Sequence, residues 1–184
     1  MKTISKLFFL AMIVASFAAC KEDDPVHEHG EELITDVVIT MTPSFGLPTT
    51  LTFSDPDGDG GNVPVIEGGT LYSQVNYTVD IELSNTSEDP AEDITHEIEH
   101  EAEEHQFFFS TSDGLNLEID YADQDANGNP VGLSCTAIGL TSTGDLTVVL
   151  RHEPDKGADG VAGGDITNAG GETDIEIVFP ITIE

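Results

Sequence analysis

From Glu32 to the last residue, clusters of Gly, Asn, Asp and Pro interrupt the chain about every ten residues, and the stretches between them alternate apolar with polar. That rhythm suits short strands and leaves little room for long helices. The cleanest case is Tyr77–Leu83 (YTVDIEL), where Tyr77, Val79, Ile81 and Leu83 share one face. Further strands are expected over Glu32–Thr42, Thr49–Phe53, Gln106–Thr111, Leu115–Ala122, Val131–Ile138, Asp145–His152 and Asp174–Ile183. Val63–Ile66 is a short edge piece, because Pro64 has no amide to give to a ladder. The expected fold is all-β, an immunoglobulin-like antiparallel β-sandwich of about 7–9 strands with one inserted acidic helix. Residues 31-184 make a single domain without internal repeats.

The inserted helix falls in Asp89–Phe109 (DPAEDITHEIEHEAEEHQFFF). Asp89 is read as the N-cap, Pro90 as the first helical residue and Glu92 as the return half of a capping box. Ala91, Ile94, Ile98, Ala102 and His105 recur at spacings of three and four and form an apolar stripe. The helix should end near His105. His96, Glu99, His100 and Glu103 fall on the opposite face, toward water. His96-Glu97-Ile98-Glu99-His100 matches the HExxH pattern of zinc peptidases. Such a helix turns its ligands into a cleft, whereas this one turns them outward, and a run so rich in Glu produces the pattern by default. What remains is a surface chelate for zinc or copper through His96, His100, Glu99 and Glu103. Phe107-Phe108-Phe109 reads as core plus one covered face.

The first 19 residues have a basic start at Lys2 and Lys6, an apolar stretch Leu7–Val14, and small residues leading to Cys20. Phe17-Ala18-Ala19-Cys20 resembles a bacterial lipobox, so residues 1-19 are a signal peptide and Cys20 the lipidation site. Residues 20-30 form an acidic tether. Lys21-Glu22-Asp23-Asp24 resembles the export tag of surface lipoproteins in Bacteroidota. The expected address is an outer-membrane lipoprotein displayed at the cell surface, held by acyl chains on one cysteine. A periplasm-facing tether is the alternative.

Charge narrows the partners. The whole chain carries a formal −31, and beyond residue 19 only Lys21, Arg151 and Lys156 oppose 36 acids. Nucleic acid and anionic lipid surfaces are excluded as partners, and bound cations should stabilise the fold. A protein or glycan partner is expected without being identified. Once Cys20 is lipidated, Cys135 has no partner and reads as a small core residue.

Two loops have calcium-like spacing. Asp55-x-Asp57-x-Asp59-Gly60 alternates carboxylates before a glycine, but its twelfth position is Ile66, with Glu67 one beyond. Asp123-x-Asp125-x-Asn127-Gly128 repeats the spacing with Ser134 where a closing Glu would stand. Asp and Asn with Gly also simply make good turns. A third loop, Glu153–Thr173, is long for a domain of this size. Asp155, Asp159, Asp165, Glu172 and Asp174 occur in or beside it with no recognisable ligand order. If consecutive strands alternate in direction, the helix, the Asp123–Asn129 loop and the Glu153–Thr173 loop gather at one pole, with His152 and Glu153.

Several blocks resemble those of small flavobacterial lipoproteins of unknown function: PAEDIT at Pro90–Thr95, EHQFF at Glu104–Phe108, DANGNPVGL at Asp125–Leu133, LRHEPDK at Leu150–Lys156 and GDITNAGGETDIE at Gly164–Glu176. Members are sometimes labelled "type 1 periplasmic binding fold superfamily". That name denotes a two-lobed α/β structure, which the strand patterning here does not fit. The family carries Glu where His96 and His100 stand, so the resemblance implies a shared acidic helix and supplies no site residues.

No phosphate-cradling Gly loop, nucleophile elbow or redox cysteine pair is present, and the chain has no Trp for a sugar-stacking platform. The expectation is a non-enzyme: a lipid-anchored, calcium-dependent binding or interaction module, with transition-metal capture as the alternative.

Overall fold

The computed structural model describes residues 32–58 and 60–184. The signal segment, Cys20, the tether and Asp59 lie outside the described residues. The chain divides after Gly30, and the second unit, Glu31–Glu184, holds every element below.

Eleven strands and one α-helix form among the described residues. The strands are β1 Asp36–Pro43, β2 Thr49–Ser54, β3 Val65–Glu67, β4 Gly69–Leu71, β5 Asn76–Asn85, β6 Glu92–Asp93, β7 His105–Thr111, β8 Leu117–Tyr121, β9 Ser134–Gly139, β10 Ser142–His152 and β11 Glu172–Ile183, with α1 at Ile94–His100. One sheet runs β3-β2-β1-β5-β9-β8, with β6 paired to the end of β5; the other runs β4-β11-β10-β7. Every pairing is antiparallel except β4 with β11. The architecture is a mostly-β, sandwich-like pair of sheets. β3, β4 and β6 are fragments of two or three residues.

Alternation does the sorting. In β5, Tyr77, Val79, Ile81 and Leu83 are buried while Thr78, Asp80 and Glu82 are exposed. In β11, Ile177, Phe179, Ile181 and Ile183 face the same core. Each fully buried aliphatic side chain contributes about 1.5–3 kcal/mol. Val148, Val149 and Leu150 of β10 are buried in succession because this sheet is covered on both faces. Its outer face carries Phe108 and Val149, roofed by Val161 and Ala169 of the 153–171 loop. Phe107 joins the inner core, so the triple Phe divides as expected. Cys135 is a core residue, and burial pushes its thiol up to about 12.

The helix is shorter than its apolar stripe suggests. Glu92–Asp93 pairs with Ser84–Asn85, which uses those residues for a ladder and moves the helix start to Ile94. The N-cap is therefore Asp93, whose carboxylate accepts from the His96 amide at 3.3 Å, and not Asp89. Ile94 and Ile98 are buried as expected, whereas Ala91 is exposed. Glu101 caps the C-terminus, and His105 opens β7 instead of closing α1. The Thr95 hydroxyl ties the helix to β5 by accepting from the Leu83 amide at 2.8 Å.

Candidate metal centre

One pole of the sandwich collects the acidic segments. Lys156, in the 153–171 loop, has its ammonium buried there. It donates to the Ala102 carbonyl just after α1 (2.5 Å), to Asp125 Oδ2 (3.1 Å) and to the Pro130 carbonyl (3.0 Å). The helix end and both loops thus meet on one side chain, at the pole the alternation of strands anticipates. The 55–61 loop is at the same end, since Asp36 pairs with both Ser54 and Ser84.

Beneath the helix, the inward rows of β7 and β10 end in histidines. His105 and His152 are cross-strand partners, one step beyond Phe107 and Leu150. Their rings stack with centroids 4.7 Å apart, and both are buried. The third member, Asp174, arrives through an irregularity. Leu150 pairs with Ile175, yet Arg151 pairs with Thr173, so Asp174 is the extra residue of a β-bulge. Strict alternation would turn Asp174 outward with Glu176 and Val178. The bulge turns it inward, and its side chain is fully buried. Gly171 makes the return possible: its φ is +67°, and a Cβ there would collide with the His152 carbonyl. Arg151 fastens the turn by donating to Thr173 Oγ1 at 2.7 Å.

The separations are short. His105 Nε2 lies 3.7 Å from Asp174 Oδ2, and His152 Nδ1 lies 4.0 Å from Asp174 Oδ1. One donor atom from each of the three falls within 4.8 Å of the others. Two glutamate-containing groups flank them: Glu32 and Glu101 beside His105, and Glu104 and Glu153 beside His152. Glu104 Oε2 is 4.0 Å from His152 Nε2.

Electrostatics set the donor states. Burial pulls the His105 imidazole down to about 4, against the Glu101 carbonyl, which favours a proton on the ring. That carbonyl faces Nδ1 at 3.2 Å and accepts only from an N–H. Neutral His105 therefore carries its proton on Nδ1 and presents the Nε2 lone pair toward Asp174. Among the described residues Nε2 makes no hydrogen bond. Burial pushes Glu32 up to about 7, reinforced by Glu97, Glu101, Asp174 and Glu92. The pole is an accumulation of negative charge and neutral imidazole, suited to a cation.

The residues singled out by spacing lie elsewhere. His96 and His100 stand on the exposed face of α1 as expected, with ring centroids 4.5 Å apart and His96 Nδ1 3.9 Å from Glu99. Glu103 is exposed beyond the helix end, because α1 stops before it. Glu99 and Asp123 line one groove together. Asp123 accepts from the Gly132 and Ser134 amides, at 2.7 and 2.9 Å. Asp125 accepts from Asn127 and Asn129, both at 2.9 Å. Burial opposes the charge on Asp125, yet those amides and Lys156 hold it below the usual carboxylate range. The cation serving this loop is an ammonium of the chain itself, and Asn127 contributes its backbone amide to Asp125. In the 55–61 loop, Asp57 accepts from Asn62 Nδ2 at 2.7 Å, the arrangement of a turn. Among the described residues, no group of three donors close enough to share an ion includes Asp55, Asp57, Asp123, Asp125, His96 or His100.

Sequence reading placed His152 and Glu153 at this pole but assigned His105 to a helix stripe and found no order around Asp174. Cross-strand register and a bulge join them, and neither leaves a spacing motif. A usable signal was available: His105 and His152 each continue an inward apolar row. No helix among the described residues is long and apolar enough to cross a membrane. No family model, curated protein or solved structure matches the chain.

Proposed function

We propose that this chain is a cation-dependent binding module: an acidic β-sandwich of immunoglobulin-like kind, tethered to the outer membrane by lipid on Cys20 and displayed at the cell surface. Membership of the flavobacterial lipoprotein family belongs to the same reading. Divalent cations enter at the helix pole, where they offset the crowding of carboxylates and order the surface offered to a protein or glycan partner. The observation carrying the reading is the convergence of α1, the 123–129 loop and the 153–171 loop on Lys156 above a buried His and Asp cluster.

The test is thermal unfolding of the full-length chain after chelation, with divalent ions added at matched ionic strength. A rise of several degrees with at least one divalent cation supports the reading. No shift with calcium, magnesium or zinc overturns it. The second reading, zinc or copper capture on the helix surface, is favoured by the closeness of the His96 and His100 rings. It predicts affinity lost in the His96→Ala/His100→Ala double variant.

A further inference from the structure

We infer that His105, His152 and Asp174 are the protein ligands of a transition-metal site, built on the ends of β7, β10 and β11, that takes a borderline divalent ion such as zinc. The inference rests on the helix pole being a cation-binding surface and names the ion class and the atoms.

Three features of the geometry converge. The first is spacing. Nitrogen and oxygen ligands about 2.0–2.2 Å from a tetrahedral ion stand about 3.3 Å from one another. The observed 3.7 Å to Asp174 Oδ2 and 4.0 Å to Asp174 Oδ1 exceed that separation modestly, and one donor atom from each residue lies within 4.8 Å of the others. The second is polarity. With its Nδ1–H given to the Glu101 carbonyl, His105 turns Nε2 of a fully buried ring toward a carboxylate oxygen. That nitrogen makes no hydrogen bond among the described residues and stands 3.7 Å from Asp174 Oδ2. The third is support. Metal-bound imidazoles characteristically give their other N–H to a carbonyl or carboxylate, which fixes tautomer and ring orientation. His105 has the Glu101 carbonyl on its far nitrogen, while the Glu104 carboxylate stands 4.0 Å from the far nitrogen of His152.

The donor set also selects. Two imidazoles and one carboxylate match zinc and its neighbours. Calcium asks for about 6–8 oxygens and gains little from imidazole. Three protein ligands leave a fourth position for water or an outside donor. Glu104, its side chain partly exposed, stands 4.0 Å from His152 Nε2.

The experiment uses the full-length chain with His27, His29, His96 and His100 all changed to Ala, which leaves His105 and His152 as the remaining histidines. The chelator-stripped protein is titrated with zinc by calorimetry, and the zinc-loaded form is measured by X-ray absorption. One zinc per chain with two imidazoles in its shell is expected, together with an affinity within about twofold of the parent. Adding Asp174→Asn should weaken zinc at least ~10-fold. Absence of zinc binding in the four-histidine variant, a shell without imidazole, or undiminished affinity with Asp174→Asn each overturns the inference. The X-ray measurement needs no change at the site, so an unstable Asp174 variant does not decide the outcome. If calcium or magnesium still raises the melting temperature while zinc does not bind, this site fails and the cation-dependent module survives. If no divalent ion has an effect, both fail.

Discussion

Among the described residues, two histidine pairs are opposite in character. His96 and His100 lie four apart on one helix face, exposed, with rings edge to face. His105 and His152 lie 47 positions apart, face each other across two strands and stack out of water beside a buried carboxylate. The helix pair is conspicuous in sequence because helical spacing is local. The strand pair has no motif, yet burial makes it the more consequential. An exposed imidazole is solvated whether or not an ion binds. A buried one must have its nitrogens satisfied by the surrounding structure. Motif spacing and chemical consequence therefore point to different residues only five positions apart, His100 and His105.

Four measurements sharpen or break that contrast. The largest effect is expected from Lys156→Ala. Its ammonium joins Ala102, just past α1, to both loops, and removal leaves Asp125 buried without its counter-charge. Urea unfolding should show a loss of about 3–5 kcal/mol. A loss under about 1 kcal/mol would mean that water replaces the clasp and the pole is looser than described.

Next is the zinc-linked rise in stability of the parent chain. At a hundredfold excess over the dissociation constant, linkage contributes about 2.7 kcal/mol, a rise of several degrees in melting temperature. The rise should vanish with His105→Gln and persist in the His96→Ala/His100→Ala chain. The reverse pattern would transfer the metal to the helix.

A smaller effect is expected from Glu32→Gln, read as stability against pH in a chelating buffer. The folded chain holds Glu32 at about 7 against a model-peptide value of 4.5, so folding favours its protonated form. The associated stability is complete below about pH 4.5 and lost as pH rises to about 7. Gln removes that loss. The variant should match the parent at pH 4 and exceed it at pH 8 by about 1–2 kcal/mol, a figure discounted for the partial exposure of Glu32. Equal stability at both pH values would show that Glu32 is solvated when folded.

The smallest effect is that of His96→Ala/His100→Ala on metal-free stability. Both side chains are exposed, so the change should stay within about 0.5 kcal/mol in thermal unfolding. A larger loss would show that the helix pair has a structural role.

Much of the fold was readable because period-two alternation is a local property. Tyr77 through Leu83 announced β5, and Pro64 correctly demoted its segment to the edge beside β2. The gathering of acidic segments at one pole followed from strand direction alone. The helix start was misplaced because Asp89, Pro90 and Glu92 satisfy every local rule for a cap, while pairing with β5 claims Glu92 and Asp93. β4 was missed because Gly69–Leu71 has no pattern of its own and exists only by adding to β11.

By itself the sequence determined the β class, the order of the main strands, the outward histidines of α1 and the end of the molecule where acids collect. All of these depend on periodicity within a segment or on counting strand reversals. Tertiary structure alone decided that His105 meets His152, that Asp174 turns inward, and that Lys156 occupies the carboxylate of the Asp125 loop. Those outcomes depend on cross-strand register and on a one-residue bulge. A bulge reverses the face of a side chain without altering the composition or the spacing around it.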